Sequence, residues 1–443
     1  MRVEIPDPSL VLLVGTTSSG KSTFARRHFA DTAVVSSDRC RALVADDEND
    51  QSATDDAFAV LHLIVERRLR RGRLTVVDAT NVQPEARAPL VALARRAHLP
   101  VAAVVLDLDP AVTERRRQAR TDRDAPAHVI LRQHDQLRRA LGGLAAEGVE
   151  RVHVLRTPEQ VDAAEIVRVP LPPDRRGERG PFDVVGDVHG CAEELEALLV
   201  QLGYGPAAAN ANGELAWQHP AGRRLVFVGD LVDRGPRPVD VLRLVMATAA
   251  AGGALAVPGN HDDKLLRALA GRPVQRTHGL AATVAAVEAE GPAFVARVRA
   301  FLAGLPSHLV LDGGRLVVAH AGLPARYHGR DSRRLRERAL YGLTTGRLDA
   351  HGLPERLDWA AEYGGEALVA YGHTPVTAPR WRGRTVDLDT GCAFGGSLTA
   401  LRWPELTLAA EPARRRYAEP ARPLSPDPFV PPDPSGAPNA GNA

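Results

Sequence analysis

The chain has 443 residues, 44% of them hydrophobic and 25% charged, with a formal net charge of +2. That length exceeds one compact core and points to two or three domains, while the balanced charge excludes a uniformly basic protein but not a local basic patch. Only Lys21 and Lys264 among the 56 basic residues are lysines, so each is a candidate for chemistry that needs a compact point charge rather than a guanidinium.

The N-terminal MRVEIPDPSLVLLVG lacks a basic leader and runs directly into a strand. No apolar run reaches the roughly 18 to 20 residues of a membrane span, and a soluble, cytoplasmic chain is expected. Cys40, Cys191 and Cys392 are too far apart for a CxxC pair, which fits a reducing compartment. Apolar runs then alternate with helical stretches: SLVLLVG, a helix from about Lys21, TAVVSSD, a helix near 56–71, LTVVDAT, a helix near 84–97, and VAAVVLDL. This alternation predicts βα units around a parallel sheet covered on both faces.

Gly15-Thr16-Thr17-Ser18-Ser19-Gly20-Lys21-Ser22 follows the first of these strands and opens a helix, the context that a G-x-x-x-x-G-K-[ST] phosphate loop requires. Backbone N–H groups between the glycines would surround the phosphates at a helix N-terminus; Lys21 would reach the β/γ oxygens and Ser22 would hold Mg²⁺. Thr23 completes the helix start. Asp38, after the next strand, could take the proton of an attacking hydroxyl, and Arg41, one turn on, could meet an acceptor-side phosphate. Taken alone, such an aspartate is more often a helix cap. Asp78 ends a further strand and reads equally as a supporting or a structural carboxylate. Arg116, Arg120 and Arg123 fall at i, i+4 and i+7, so one helix face would close three guanidiniums over a nucleotide.

GTTSSGKST, SSDRCR, VVDATN and RRQARTDR resemble the kinase module of bacterial polynucleotide kinase-phosphatases, over residues 8–168. The resemblance implies that Gly15, Ser18, Ser19, Gly20, Lys21, Ser22 and Thr23 bind ATP and Mg²⁺. It further implies that Asp38 is the base on a 5′-OH, that Arg41 positions the acceptor, and that Arg116, Arg120 and Arg123 form a lid.

VPLPPDRRGERGPF, residues 169–182, has no apolar periodicity and reads as a linker. Beyond it FDVVGD, RLVFVGD, ALAVPGN, RLVVAH and ALVAYGH each end on a residue suited to metal or phosphate chemistry, which points to one site at the carboxyl ends of strands. A two-metal phosphoesterase needs a bridging carboxylate flanked by oxygen and imidazole ligands. Asp187 and His189 would bind one ion, Asn260, His320 and His373 the other, and Asp230 would bridge them. His261 could protonate a leaving oxygen, and Arg234 could clamp phosphate oxygens. The ligand set suits Mn²⁺, Fe, Ni²⁺ or Zn²⁺. The Ala-rich stretch between His261 and His320 reads as a helical cover.

DVHG, GDLVDRG, GNHD, HAG and GHT in this order resemble the calcineurin-type metallophosphoesterases, with Pro375 standing where many relatives carry a second histidine. The later text narrows the likeness to the phosphatase module of the same kinase-phosphatases, which implies that Asp233 and Asp389 are outer members of the site. The expected fold is therefore α/β: a P-loop kinase parallel-sheet domain over 1–168, the linker 169–182, a metallophosphoesterase sandwich over 183–410, and a Pro-rich disordered tail over 411–443. The implied function is nucleic-acid end healing. ATP would phosphorylate 5′-OH ends, and two divalent metals such as Mn²⁺ or Ni²⁺ would serve removal of 3′-phosphate or 2′,3′-cyclic phosphate, on RNA or DNA ends.

No K-x-D-G ligase motif is present, so a separate ligase is the expected partner; a homodimer stays open. The alternatives are a small-molecule kinase fused to a protein Ser/Thr phosphatase or dinucleoside polyphosphate hydrolase, and a non-catalytic RNA-binding scaffold.

Overall fold

The computed structural model describes residues 1–119, 126–349 and 352–429. It divides into two compact units, Met1–Leu171 with Arg330–Ser332, and Pro172–Gly329 with the remaining residues. The first unit runs β1 (Arg2–Asp7), β2 (Leu10–Gly15), α1 (Lys21–His28), β3 (Val34–Ser36), α2 (Ser37–Ala45), α3 (Thr54–Arg70), β4 (Thr75–Asp78) and α4 (Pro84–Arg96). It continues with β5 (Val101–Leu106), α5 (Pro110–Gln118), α6 (Ala127–Ala140), α7 (Leu144–Glu147), β6 (Arg151–Leu155), α8 (Pro158–Asp162) and β7 (Glu165–Pro170).

Five strands pair in the order β3-β4-β2-β5-β6, all parallel. Strand β2 shows why the sheet is covered twice. Alternate side chains of a strand point to opposite faces; Leu10, Leu12 and Val14 join one core with α3 and α4, while Val11 and Leu13 join another with Phe24 and Ala25 of α1. β1 pairs with β7 outside this sheet.

The second unit contains β8 (Phe182–Val185), α9 (Ala192–Leu202), β9 (Gly205–Ala209), β10 (Leu215–Gln218), β11 (Arg224–Phe227), α10 (Pro238–Ala250), β12 (Ala254–Ala256), α11 (Asn260–Leu269), α12 (Leu280–Ala289) and α13 (Pro292–Gly304). There follow β13 (Leu309–Leu311), β14 (Leu316–Val318), α14 (Arg333–Tyr341), β15 (Thr344–Leu348), β16 (Pro354–Arg356), β17 (Leu368–Tyr371), β18 (Arg380–Arg382), β19 (Thr385–Asp387), β20 (Ser397–Trp403) and β21 (Thr407–Pro412). Two five-stranded sheets, β12-β11-β8-β20-β21 and β13-β14-β17-β19-β18, face each other across a core of Val184, Val226, Leu316, Ala370, Val386 and Leu401. The opposite face of the first sheet, with Val185 and Phe227, packs on α9 and α10, and the same core extends to the Ala-rich α12 and α13.

Two segments differ from the sequence reading. Residues 172–181 lie along β13 rather than linking freely: Arg175 N–H donates to Val310 O at 3.0 Å and Val310 N–H to Pro173 O at 2.9 Å. A strand edge accepts any backbone with free polar groups, whatever its hydrophobic period. The structure also departs from the expectation of a disordered tail beginning at residue 411. β21 reaches Pro412, and residues 413–429 lie against the second unit. Arg414 N–H and Tyr417 Oη both donate to Oε1 of buried Glu194, at 2.9 and 2.7 Å. Asp427 pairs with Arg380 and Arg382 at 3.1 and 3.0 Å.

Candidate functional site

In the first unit the loop after β2 is shaped by close backbone contacts. A Cβ at Gly15 would stand 2.8 Å from Ser19 Oγ, and Ser18 and Gly20 adopt left-handed backbone with φ of 62° and 98°. Lys21 Nζ donates to the loop carbonyls of Gly15 and Thr16 at 2.9 and 2.7 Å, which holds the ammonium inside the turn. Asp78, at the end of the neighbouring strand, hydrogen-bonds Ser22; burial pushes its carboxyl up, against the pull of Ser22 and Lys21. Asp78 thus belongs to the loop's immediate surroundings, where the sequence left its role open. Arg116 donates to Ser19 O at 2.8 Å, and Gln133 of α6 accepts from Thr17 N–H at 2.7 Å.

Ser36 caps α2, which places Asp38 in its first turn. Arg41 is buried and donates to Asp38 Oδ1 and Glu48 O, both at 2.9 Å, so it anchors the carboxylate. Arg116 lies on α5, which ends at Gln118. Arg120 and Arg123 lie outside the described residues.

In the second unit the turns after β8, β11, β12, β14, β17 and β19 bring together Asp187 and His189, Asp230 and Arg234, Asn260 and His261, His320, His373, and Asp389. Asp230 is central. Its Oδ2 lies 3.4 Å from His189 Nε2 and its Oδ1 3.5 Å from His320 Nε2. His189 Nδ1–H donates to Val232 O at 3.0 Å and His320 Nδ1–H to Val228 O at 3.1 Å, so both Nε2 atoms carry lone pairs that face carboxylate oxygens. Two acceptors facing each other are repulsive unless a cation lies between them. Asp187 Oδ1 and His373 Nε2 are also buried without a hydrogen-bond partner. Burial, then the charges of Asp389 and Asp230, push the Asp187 carboxyl well up. Burial pushes the imidazoles of His189 and His373 well down, which keeps them in the neutral form a metal needs.

Two groups of potential ligands result, His189 with Asp230 and His261, and Asp230 with His320 and His373. The residues present therefore fit a pair of divalent cations sharing Asp230. His189, Asp230, Asp233, Arg234 and His373 all have φ between 47° and 74°, a conformation that side-chain-bearing residues avoid. Tight packing enforces it. A Cβ at Gly259 would overlap Asp230 Oδ1, and one at Gly372 would overlap Asp187 Oδ1. Asp262 ties two of the turns together, accepting from Leu231 N–H at 3.0 Å and Gly259 N–H at 2.8 Å.

The AAA domain family matches residues 10–144, and the Calcineurin-like phosphoesterase family matches residues 180–399. Three curated relatives carry the name bis(5′-nucleosyl)-tetraphosphatase PrpE (asymmetrical). The protein of Anoxybacillus flavithermus is 44% identical over 55% of this chain and 99% of its own length. That of Geobacillus thermodenitrificans is 46% identical over 52% of this chain and 94% of its own, and that of Bacillus subtilis 43% identical over 54% and 97%. The chain belongs to the calcineurin-like phosphoesterase family. A phosphoesterase of this kind implies divalent metals, and the P-loop unit implies a nucleotide.

Around the phosphoesterase ligands, Arg234 donates to Nε2 of both His189 and His261, at 2.9 and 3.2 Å, and its guanidinium lies 4.7 Å from the Phe394 ring centroid. His261 Nδ1–H in turn donates to Asp233 Oδ2 at 2.6 Å. Asp389 is buried and pushed up to about 6 by burial, against the pull of Arg234.

The sequence reading missed Arg356, the last residue of the β15–β16 hairpin. It donates to Thr374 Oγ1 at 2.6 Å and His373 O at 3.4 Å, and burial with Arg422 nearby lowers its guanidinium to about 10 while Asp389, Asp387 and Asp230 act the other way. No motif surrounds it; its distance of 17 residues from His373 is closed only by the hairpin.

Proposed function

We propose that this chain is a bifunctional nucleic-acid end-healing enzyme. The first unit transfers the ATP γ-phosphate to a 5′-OH end, and the second removes a 3′-phosphate or a 2′,3′-cyclic phosphate. In the kinase reaction Lys21 and the loop amides would hold the phosphates, Ser22 and Asp78 would hold Mg²⁺, and Asp38, anchored by Arg41, accepts the proton of the attacking hydroxyl. Arg116 lies against the loop to meet charge on the transferring group.

In the phosphatase reaction Asp187, His189, Asp230, Asn260, His320 and His373 would hold two divalent ions, with Mn²⁺ and Ni²⁺ suited to the mixed ligands. When bound, those ions supply Lewis-acid stabilisation of phosphoryl charge and activation of water. Arg234 and Arg356 hold phosphate oxygens, and His261, protonated at Nε2 once Arg234 turns from it to the phosphate and held by Asp233 at Nδ1, gives that proton to the leaving oxygen.

The observation that carries this reading is the His261–Asp233 pair. A sugar hydroxyl is a poor leaving group and needs a proton as it departs, whereas a phosphate leaving from an anhydride does not. A positioned acid therefore favours phosphate esters of alcohols. The test is an RNA with 5′-OH and 2′,3′-cyclic phosphate ends, incubated with ATP and Mg²⁺ or Mn²⁺ and then weighed. Gain of a 5′-phosphoryl group and loss of the 3′ phosphate are expected; no mass change at either end would sink the proposal. A second reading, dinucleoside polyphosphate cleavage by the second unit, is favoured by the name the relatives carry. Faster turnover of a dinucleoside tetraphosphate than of any 3′-phosphorylated strand would select it.

A further inference from the structure

Lys264, one of the chain's two lysines, has no place in the chemistry above. It lies on α11, one turn beyond His261, on the same side of the helix. Because α11 begins at the candidate ligand Asn260, each further turn moves about 5.4 Å along the helix axis away from the metal ligands. Lys264 is half-buried, and among the described residues its ammonium has neither a carboxylate within ion-pair distance nor a hydrogen-bond acceptor. Its neighbour Asp263 is turned to Arg336, at 3.8 Å. His278, exposed and in left-handed backbone at φ 58°, lies within electrostatic reach of Lys264 and Arg234, with its ring 6.4 Å from that of His261. The next residue, Gly279, packs against the backbone of Arg234. A lone ammonium and an imidazole thus stand near the acid, where a leaving group protonated by His261 would pass.

We infer that Lys264 and His278 form a subsite for an anionic group carried by the leaving group, so that the site prefers substrates whose departing portion is itself charged. This rests on the proposed role of His261 as the acid. The anion is a phosphodiester in a polynucleotide or a phosphate in a polyphosphate chain; the two share this chemistry.

The test compares kcat/KM for uridine 3′-monophosphate, whose leaving group is uncharged, with that for the dinucleotide UpUp, which adds one nucleoside and one phosphodiester on the leaving side. A dinucleoside tetraphosphate is a third arm. The readout is the UpUp to monophosphate ratio in wild type, Lys264→Met, Lys264→Arg and Lys264→Glu. Lys264→Met keeps the aliphatic stem and is expected to lower the ratio about tenfold, as loss of one charge-assisted contact does. Lys264→Glu should lower it further, and Lys264→Arg should restore most of it. A ratio that stays constant, whether both rates fall together or neither moves, overturns the subsite. If the 3′-phosphates are inert but the tetraphosphate is cleaved with the same dependence on Lys264, the subsite stands and the end-healing reading fails.

Discussion

Oδ2 of Asp233 lies 2.6 Å from Nδ1 of His261, both side chains buried, which fixes the imidazole with Nε2 turned toward Arg234. The pair behaves as one device. In Asp233→Asn an amide at Nδ1 no longer dictates which nitrogen carries the proton. With a nucleoside 3′-phosphate, kcat is expected to fall about 100-fold; with nitrophenyl phosphate, whose leaving group needs little protonation, the loss stays within about tenfold. Steady-state rates on the two substrates check it, and equal losses on both would remove His261 from the acid's role.

Asp230 faces two imidazoles with one oxygen each, and these facing lone pairs suit cations held between them. Chelation is expected to abolish phosphoesterase turnover, and added Mn²⁺ should raise the wild-type melting temperature by several degrees, since binding only to the folded state stabilises it by about 2.7 kcal/mol at a hundredfold excess over Kd. Asp230→Asn should erase that rise in a thermal melt. Gly372→Ala, whose Cβ would overlap Asp187 Oδ1, should weaken metal affinity about 10- to 100-fold by calorimetry.

Arg356 comes to the site on a hairpin and makes no ion pair among the described residues. As a phosphate ligand it should act on affinity for anions. Arg356→Gln is expected to lower kcat/KM about 10- to 100-fold and to weaken competitive inhibition by inorganic phosphate or vanadate by a similar factor, with metal content retained. Inhibition constants that do not move would make Arg356 a counter-charge for Asp387 and Asp389 only.

Lys21 sits inside the phosphate loop, bonded to two of its carbonyls. Lys21→Met keeps the stem and should cost the phosphotransfer reaction about 100-fold or more, while phosphoesterase rates stay at wild-type level. Lys21→Arg is expected to fail almost as badly, because a planar guanidinium cannot occupy the turn that holds an ammonium. Radiolabel transfer from ATP to a 5′-OH oligonucleotide measures both.

His308 offers a stability prediction away from both sites. It is fully buried, accepts from Gly329 N–H at 2.9 Å, and burial lowers it from 6.5 to about 3. Between these values the unfolded chain binds a proton that the folded one does not, so stability is whole above pH 6.5 and declines as pH falls. The cost reaches about 1.4 kcal/mol at pH 5.5. Urea unfolding at pH 7.5 and 5.5 should show a smaller difference in His308→Gln by about that amount.

Much of the fold and of the ligand set was legible because each strand-end residue lies within about four residues of a short apolar run, as Asp187 does after Phe182–Val185. Covalent neighbourhood did the positioning there. The residues that were not legible are brought in by tertiary contact: Arg356 by a hairpin, and Asp262 by the backbone groups it joins. The lid face of Arg116, Arg120 and Arg123 is seen only at Arg116, because the other two lie outside the described residues. Composition misread residues 413–429, since it measures what a segment can bury on its own and not what it can be tied to.

Those residues also change the meaning of their prolines. Pro420, Pro423, Pro426 and Pro428 hold φ near its extended value before any contact forms, so little chain entropy is left to lose when Tyr417 and Asp427 make their bonds. A proline-dense stretch that cannot build a core is well suited to being a strap. Trimming at Pro412, where the sheet ends, would leave Glu194 a buried carboxylate stripped of both its donors, so the phosphoesterase unit extends at least through Tyr417.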